Sequence, residues 1–132
     1  GSSTTAVHAL AYPLGGKFKI AHGVANAILL PLVFEFNLEA TGSRVHDIAD
    51  AMGIEQAADW RGRAREVLTR IRGWTEALEL PTDLSVWGVT QEDLPGLANA
   101  ASQVTRLLDN NPREMSVADI EGLYSKLLPG GN

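Results

Sequence analysis

The sequence contains no cysteine among its 132 residues. Disulfide frameworks, thiolate metal sites and cysteine nucleophiles are therefore excluded, and a reducing compartment is compatible with the chain. The first eight residues, GSSTTAVH, have no basic segment of the kind that begins a secretory signal. We therefore expect a cytoplasmic protein.

Basic residues and long apolar runs are also scarce. There are 11 Lys and Arg against 16 Asp and Glu, which gives a net charge of −5 and a pI of about 5.1. Because phosphate binding requires a basic face, we do not expect nucleic acid as a partner. The longest apolar run, residues 24–36, is interrupted by Asn26, Pro31 and Glu35 and falls short of the ~20 residues of a membrane span. This run predicts a buried core helix rather than a membrane segment.

Patterns typical of β-strands are nearly absent, and helical patterns separated by short loops take their place. We predict one all-α, helical-bundle-like domain of about six helices, at residues 4–12, 22–37, 43–52, 57–80, 90–108 and 117–127. The first helix should end before Pro13, and the chain should then reverse at Gly15 and Gly16. The second is apolar on nearly all sides, so we expect it to lie at the centre of the domain.

The helix predicted over residues 57–80 has two different sides. Its apolar side includes Trp74 and Leu78, which should face the core. Its other side is rich in arginine, including Arg63, and is expected to be solvated. An anion site or a docking surface is the alternative interpretation of that charged side.

Two later helices begin with the sequence pattern of a capping box. Thr90 with Asp93, and Ser116 with Asp119, place a hydroxyl and a carboxylate three residues apart before an apolar segment. No glycine-rich strand–turn–helix of the nucleotide-binding kind is present, because the glycines at 15 and 16 follow a helix and not a strand.

The chain has only three histidines, His8, His22 and His46. Imidazole binds iron, zinc, copper and nickel, and a reversal between two helices could bring His8 and His22 to one point. Alternatively, His8 is a hydrogen-bonded core residue and His22 merely begins a helix. No third ligand is evident from the sequence, whereas catalytic metal sites typically have three protein ligands. We interpret His46, on a short amphipathic helix, as a surface histidine.

Two further side chains are candidates because of their spacing from these histidines. Tyr12 lies one helical turn after His8 and could relay a proton, or it is simply a half-buried aromatic near a helix end. Asn26 lies one turn after His22 on an otherwise apolar helix, where a buried amide must be hydrogen-bonded. It either braces a neighbouring segment or orients His22.

The segment HALAYPLGG from His8, followed by AHGVANAILLP, resembles the signature of the iron-containing (group III) alcohol dehydrogenases. In that family a His precedes Pro-Leu-Gly, and His-Gly-x-x-Asn-Ala then begins an apolar helix. The resemblance continues in FN at 36–37, DIA at 47–49, EDLP at 92–95 and NPRE at 111–114.

The resemblance implies a particular place for this chain in a longer enzyme. Family members have an N-terminal dinucleotide-binding α/β domain followed by an all-helical domain that holds the metal. Residues 1–132 would be the C-terminal helical part, with the dinucleotide-binding domain absent. The family's metal is held by an Asp and three His, of which the last two correspond to His8 and His22. Asn26 matches the family Asn, and many members have a His near the nicotinamide where this chain has Tyr12.

The activity implied by the resemblance is metal-assisted hydride transfer between a small alcohol or aldehyde and NAD(P). Fe²⁺, or alternatively Zn²⁺, would act as a Lewis acid, and the full-length enzyme would be a homo-oligomer. The missing N-terminal domain would be this chain's partner, and the chain alone should be inactive. A different hypothesis is a helical interaction module of the same descent that binds no metal.

Overall fold

A computed structural model describes residues 2–55 and 59–130, and it consists of helices joined by short connections. Its helices are α1 (Ser2–Phe18), α2 (His22–Thr41), α3 (Val45–Ala51), α4 (Trp60–Ala77), α5 (Leu94–Ser102), α6 (Thr105–Leu108) and α7 (Val117–Ser125). Three 3₁₀ turns cover Gly42–Arg44, Leu84–Trp87 and Gln91–Asp93. These ranges contain no β-strand, so the all-α prediction is confirmed. The predicted start of the fourth helix, Ala57, lies outside the described residues.

Helix α1 is longer than the sequence predicts, because it continues through Pro13 and both glycines to Phe18. The prediction that Pro13 ends this helix is therefore wrong. A proline inside a helix costs about 3 kcal/mol. Full burial of Leu14, and of other α1 residues in the core, offsets that cost, since each large apolar side chain contributes roughly 1.5–3 kcal/mol.

The chain reverses at Lys19 and not at the glycine pair. Lys19 has a φ of 58°, in the left-handed region, and its amide donates to the carbonyl of Gly15 over 3.1 Å. The Ile20 amide donates to the carbonyl of Leu14 over 3.4 Å. These two bonds cap α1, and the next helix begins directly at His22.

Helix α2 is the central element, as predicted. The helical stretch His22–Ala51 is long and apolar enough, by length and composition alone, to cross a membrane. The core helix of a globular protein can be equally long and apolar, and Ile28, Leu29 and Val33 of α2 are buried among other helices. We therefore interpret α2 as a core helix.

The buried apolar residues form two clusters that meet at α2. The first cluster joins α1, the N-terminal part of α2, α5 and α7, with Trp87 packed at its edge. The second cluster is smaller and joins Phe34 of α2 to α3 and α4. Leu30 of α2 packs against both, so α2 links the two halves of the domain.

The two predicted capping boxes are confirmed. The Thr90 amide donates to the carboxylate of Asp93 over 2.8 Å, and this bond, helped by nearby Lys17, holds the pKa of Asp93 below its ordinary value. The Ser116 amide donates to Asp119, whose own amide donates to the Ser116 hydroxyl. The helix predicted over 90–108 is divided, however, because α5 ends at Ser102 and only the single turn of α6 follows.

The two sides of α4 differ from the prediction at three positions. Arg63, expected to be solvated, is 0% exposed. Trp74 and Leu78, expected in the core, are 52% and 68% exposed. Arg63 is buried because it bonds to α3 and to the segment after it, whereas Trp74 lines an open groove together with Ile48 and Met52.

Candidate metal centre

The reversal at Lys19 places two histidines against each other. His8 lies in the middle of α1, and His22 is the first residue of α2, which packs along α1. Nδ1 of His8 lies 2.9 Å from Nε2 of His22. The hypothesis that the reversal brings these imidazoles to one point therefore agrees with the fold, although the glycine pair is not the residue pair that makes the turn.

The two imidazole rings meet edge to edge. Their centroids are 5.1 Å apart and their planes differ by 12°. The 2.9 Å between the two nitrogens is much shorter than the 5.1 Å between the ring centroids. The nitrogens must therefore lie between the centroids, with the near edges of the two rings facing each other. His8 is half-buried and His22 is exposed, so the pair opens to the surface on the His22 side.

Asn26 completes this small polar group. Its side-chain nitrogen lies 3.5 Å from the same Nδ1 of His8. With this orientation of the Asn26 amide, its nitrogen donates to Nδ1 of His8, and the proton of the shorter contact would then lie on Nε2 of His22. The side-chain oxygen of Asn26 is buried and finds no hydrogen-bond partner within the described ranges. The amide thus contacts His8, whereas spacing alone associated it with His22.

The donor set fits part of a transition-metal site. Metal–imidazole bonds are about 2.0–2.1 Å, so two nitrogens on neighbouring positions of one metal lie roughly 2.9–3.4 Å apart. The His8–His22 separation of 2.9 Å falls at the short end of this range, but the two nitrogens face each other in a hydrogen bond that they would have to give up to bind one metal. Neutral imidazole suits iron and zinc, and the unpartnered Asn26 oxygen is the kind of buried polar atom that an additional group would satisfy.

The site is incomplete within this chain. Among residues 2–55 and 59–130, no group of three or more His, Cys, Asp or Glu side chains converges on one point. Catalytic metal sites typically have three protein ligands and an open position. The two histidines can therefore supply at most two of the three protein ligands of such a site.

Tyr12 lies one turn beyond His8 but is 69% exposed. Its ring lines an open groove between α1 and α5, whose walls also include Gly16, Lys17, Gly96 and Ala100. The phenol is thus available to a molecule in that groove. The alternative of a half-buried aromatic does not describe this side chain.

The sequence reasoning missed two polar contacts that involve Arg63 and Tyr124. Buried Arg63 of α4 lies 3.1 Å from Nδ1 of His46, which is half-buried and hydrogen-bonded and not the surface histidine expected. Tyr124 of α7 is fully buried and donates its hydroxyl to the carbonyl of Leu10 over 2.5 Å. Burial raises the pKa of the Tyr124 phenol well above its ordinary value.

Comparisons of this chain with known proteins all indicate one family. The profile described as "Fe-containing alcohol dehydrogenase family, C-terminal" matches residues 1–128. Lactaldehyde reductase of Escherichia coli (strain K12) is 39% identical over 119 residues, which cover 89% of this chain and 31% of the relative. Long-chain-alcohol dehydrogenase 1 of Geobacillus thermodenitrificans (strain NG80-2) is 35% identical over 130 residues, 94% of this chain and 32% of the relative.

Solved structures agree with the sequence matches. A crystal structure of 1,3-propanediol oxidoreductase superposes with a TM-score of 0.85 at 31% identity, covering 93% of this chain and 32% of that structure. The chain thus spans about a third of the length of the relatives that it matches. From the profile match over nearly all residues, the chain belongs to the Fe-containing alcohol dehydrogenase family and corresponds to that family's C-terminal region.

Proposed function

We propose that this chain is the C-terminal, metal-ligating portion of an iron-dependent NAD(P) alcohol dehydrogenase that interconverts a small alcohol and its aldehyde. The observation that carries the proposal is the 2.9 Å approach of Nδ1 of His8 to Nε2 of His22. The family membership supports it, since the relatives include a lactaldehyde reductase and several alcohol dehydrogenases.

His8 and His22 are the residues that would hold the metal, iron or alternatively zinc. When bound, such a metal supplies Lewis-acid stabilisation of an alcohol oxygen, and NAD(P) supplies the hydride chemistry. Helix α1 is buried at Leu10 and Leu14, which keeps His8 in place. Helix α2 begins at His22 immediately after the reversal, so the position of His22 depends on the Lys19 turn.

Asn26 would hold the His8 ring in place in the metal-free state, and its contact to Nδ1 would be released when that nitrogen binds the metal. A fixed imidazole loses less freedom when it binds a metal, which is the usual value of such a supporting contact. Tyr12, exposed in the groove beside α1, would hold or move a proton at its hydroxyl when a substrate occupies that groove.

The enzyme needs parts that this chain does not supply. Two imidazoles fall short of the three protein ligands of a typical catalytic site, and no glycine-rich nucleotide loop is present in the sequence. We therefore propose that an N-terminal dinucleotide-binding domain is the partner, and that residues 1–132 alone are inactive. We further propose that the complete enzyme is a cytoplasmic homo-oligomer.

Metal binding is tested on the purified chain under anaerobic conditions. We expect weak binding of Fe²⁺ or Zn²⁺ by calorimetry, and its loss in His8→Ala and in His22→Ala. The matched control is His46→Ala, which removes the third histidine and should leave metal binding unchanged. Binding that survives both site variants would refute the assignment, and no binding by any variant would favour a metal-free interaction module.

Catalysis is tested with a chimera in which this chain replaces the matching 119-residue segment of the Escherichia coli lactaldehyde reductase. The chimera should reduce lactaldehyde with NAD(P)H, whereas the isolated chain should not. His8→Ala and His22→Ala should lower its kcat at least 100-fold, because each removes a metal ligand. Turnover by the isolated chain, or an active His22→Ala chimera, would contradict the proposal.

A further inference from the structure

An open apolar groove lies between α2, α3 and α4. It has a volume of about 380 Å³, and two of its lining side chains, Trp74 and Ile48, are 52% and 38% exposed. Its other apolar walls are Leu30, Phe34, Met52, Val67 and Ile71. Exposed large apolar side chains gathered around one depression are typical of an interaction site.

The first residues of α1 border the same groove. Ser3 and Thr4 are among its lining residues, together with Pro112. The fully buried Asn37 donates from its side-chain nitrogen to the Ser3 hydroxyl over 3.0 Å, and two bonds of 2.7 and 2.8 Å pair its amide with that of Asn111. A segment joined to residue 1 would therefore leave from a fixed point beside the groove.

The relatives of this chain are long enough to fill the groove from outside the matching part. The chain spans about a third of their length and matches the family's C-terminal region, so most of their remaining length precedes that part. We rely here on the proposed function, in which an N-terminal domain precedes residue 1. The part of that domain nearest residue 1 then ends beside Ser3 and the groove.

The groove also has a polar edge that limits what can bind there. Arg44 lines it and donates to the carbonyls of Ala40 and Thr41. No carboxylate within the described ranges forms an ion pair with this guanidinium, which has five N–H donors. A matching occupant presents apolar side chains to the walls and a carboxylate or carbonyl oxygen to Arg44.

We propose that the groove is the docking site of the amphipathic segment that directly precedes residue 1 in the full-length enzyme, and that this segment covers Trp74 and Ile48. A second copy of this chain is the competing occupant. A segment tethered beside its site has an effective concentration in the millimolar range, so at micromolar protein the tether favours it roughly a thousandfold over a second copy.

The first test compares the isolated chain with the lactaldehyde reductase chimera, after EDTA has removed metal from both. Hydroxyl-radical oxidation followed by mass spectrometry gives the oxidation rate of each tryptophan. The Trp74 rate should fall roughly fivefold in the chimera, as its exposure drops from 52% to that of a core residue. Half-buried Trp87, at the edge of the first cluster, is the matched control and should keep its rate. An unchanged Trp74 rate, or an equal fall at Trp87, would overturn the proposal.

The second test places a charge in the groove and measures the oxidation rate of Met52, which lines it. In the chimera, Trp74→Asp should prevent docking, so Met52 should oxidise as fast as it does in the isolated chain. Leu78→Asp is the matched control, because Leu78 is 68% exposed, lies one turn later and does not line the groove. It should leave Met52 protected. Loss of protection in both variants, or in neither, would refute the docking site.

If the chimera does not fold, this chain is fused instead to about 30 residues that precede the matching segment in the Escherichia coli enzyme, enough for two average helices. Trp74 should be protected in that fusion, and an unprotected Trp74 would overturn the proposal. Protection of Trp74 that increases with the concentration of the isolated chain would also overturn it, in favour of a second copy. Because these measurements exclude metal, failed docking leaves the proposed metal ligands untouched, and an inactive chimera with protected Trp74 supports docking alone.

Discussion

The two halves of this domain are stabilised by different means. The first cluster, around α1, α2, α5 and α7, is almost entirely apolar, and its buried phenol, Tyr124, is neutral and donates to a carbonyl. The second cluster, around α3 and α4, contains a fully buried cation, Arg63. Hydrocarbon burial does not depend on pH, whereas a buried charge is only as stable as its partners. The stability of the second half therefore depends on the polar partners of Arg63, whereas that of the first half depends mainly on apolar burial.

The largest expected effect comes from removing the buried cation. Arg63→Ala deletes four contacts to α3 and to the following segment and leaves a cavity. We expect a loss of about 3 kcal/mol in the free energy of unfolding, measured with urea. Arg65→Ala, on the exposed side of the same helix, is the control and should cost less than about 0.5 kcal/mol. Equal losses in both variants would show that the buried cation does not stabilise the second half.

A smaller effect is expected in the first half from Tyr124→Phe. It leaves the Leu10 carbonyl without its phenol donor and should cost about 1–2 kcal/mol at pH 7. Because the folded state raises the pKa of Tyr124 above the ordinary 10.0, wild type should lose stability as the pH rises above 10, where only the unfolded phenol ionises.

Tyr124→Phe should therefore show a weaker decline in stability above pH 10 than wild type does. Exposed Tyr12 provides the matched control, since Tyr12→Phe should leave both the stability at pH 7 and the alkaline decline unchanged. An alkaline decline that persists fully in Tyr124→Phe would mean that another group causes it.

The smallest effects are gains, one in each half. Two residues have positive φ values, which residues other than glycine rarely adopt: Lys19, between α1 and α2, at 58°, and Glu79, after α4, at 55°. Lys19→Gly and Glu79→Gly should each raise the free energy of unfolding by about 0.5–1 kcal/mol, measured by thermal unfolding. Gly53→Ala, at a φ of 72°, is the reverse control and should destabilise the chain. A loss of stability in Lys19→Gly would indicate that its side chain contributes more than its backbone conformation costs.

Local patterns were sufficient for much of the fold. The apolar character of residues 24–36 predicted a central helix, and Thr90 with Asp93 and Ser116 with Asp119 predicted capping boxes that the structure contains. Each of these features involves neighbours within a few residues along the chain. The same reasoning failed at Pro13, where a strong local signal to end a helix is outweighed by burial that only the assembled core provides.

The candidate site was predictable in its residues and not in its geometry. His8, His22 and Asn26 stand out in the sequence because polar groups are rare around them. That Asn26 contacts His8, on the other helix, depends on how α1 and α2 pack. Arg63 could not be distinguished in the sequence from the exposed arginines of α4. It is buried because α3, whose contacting residues lie 13–17 positions earlier in the chain, packs over it.

The sequence by itself determined the helical class of this protein, its capping residues and the identity of the two imidazoles, since these depend on local propensity and on rare side chains. Only the tertiary structure decided that α1 continues to Phe18, that Lys19 makes the reversal and that Arg63 is buried beside His46. These outcomes depend on contacts between distant segments. Their free energies exceed the local preferences that they override, and no single segment of the chain contains them.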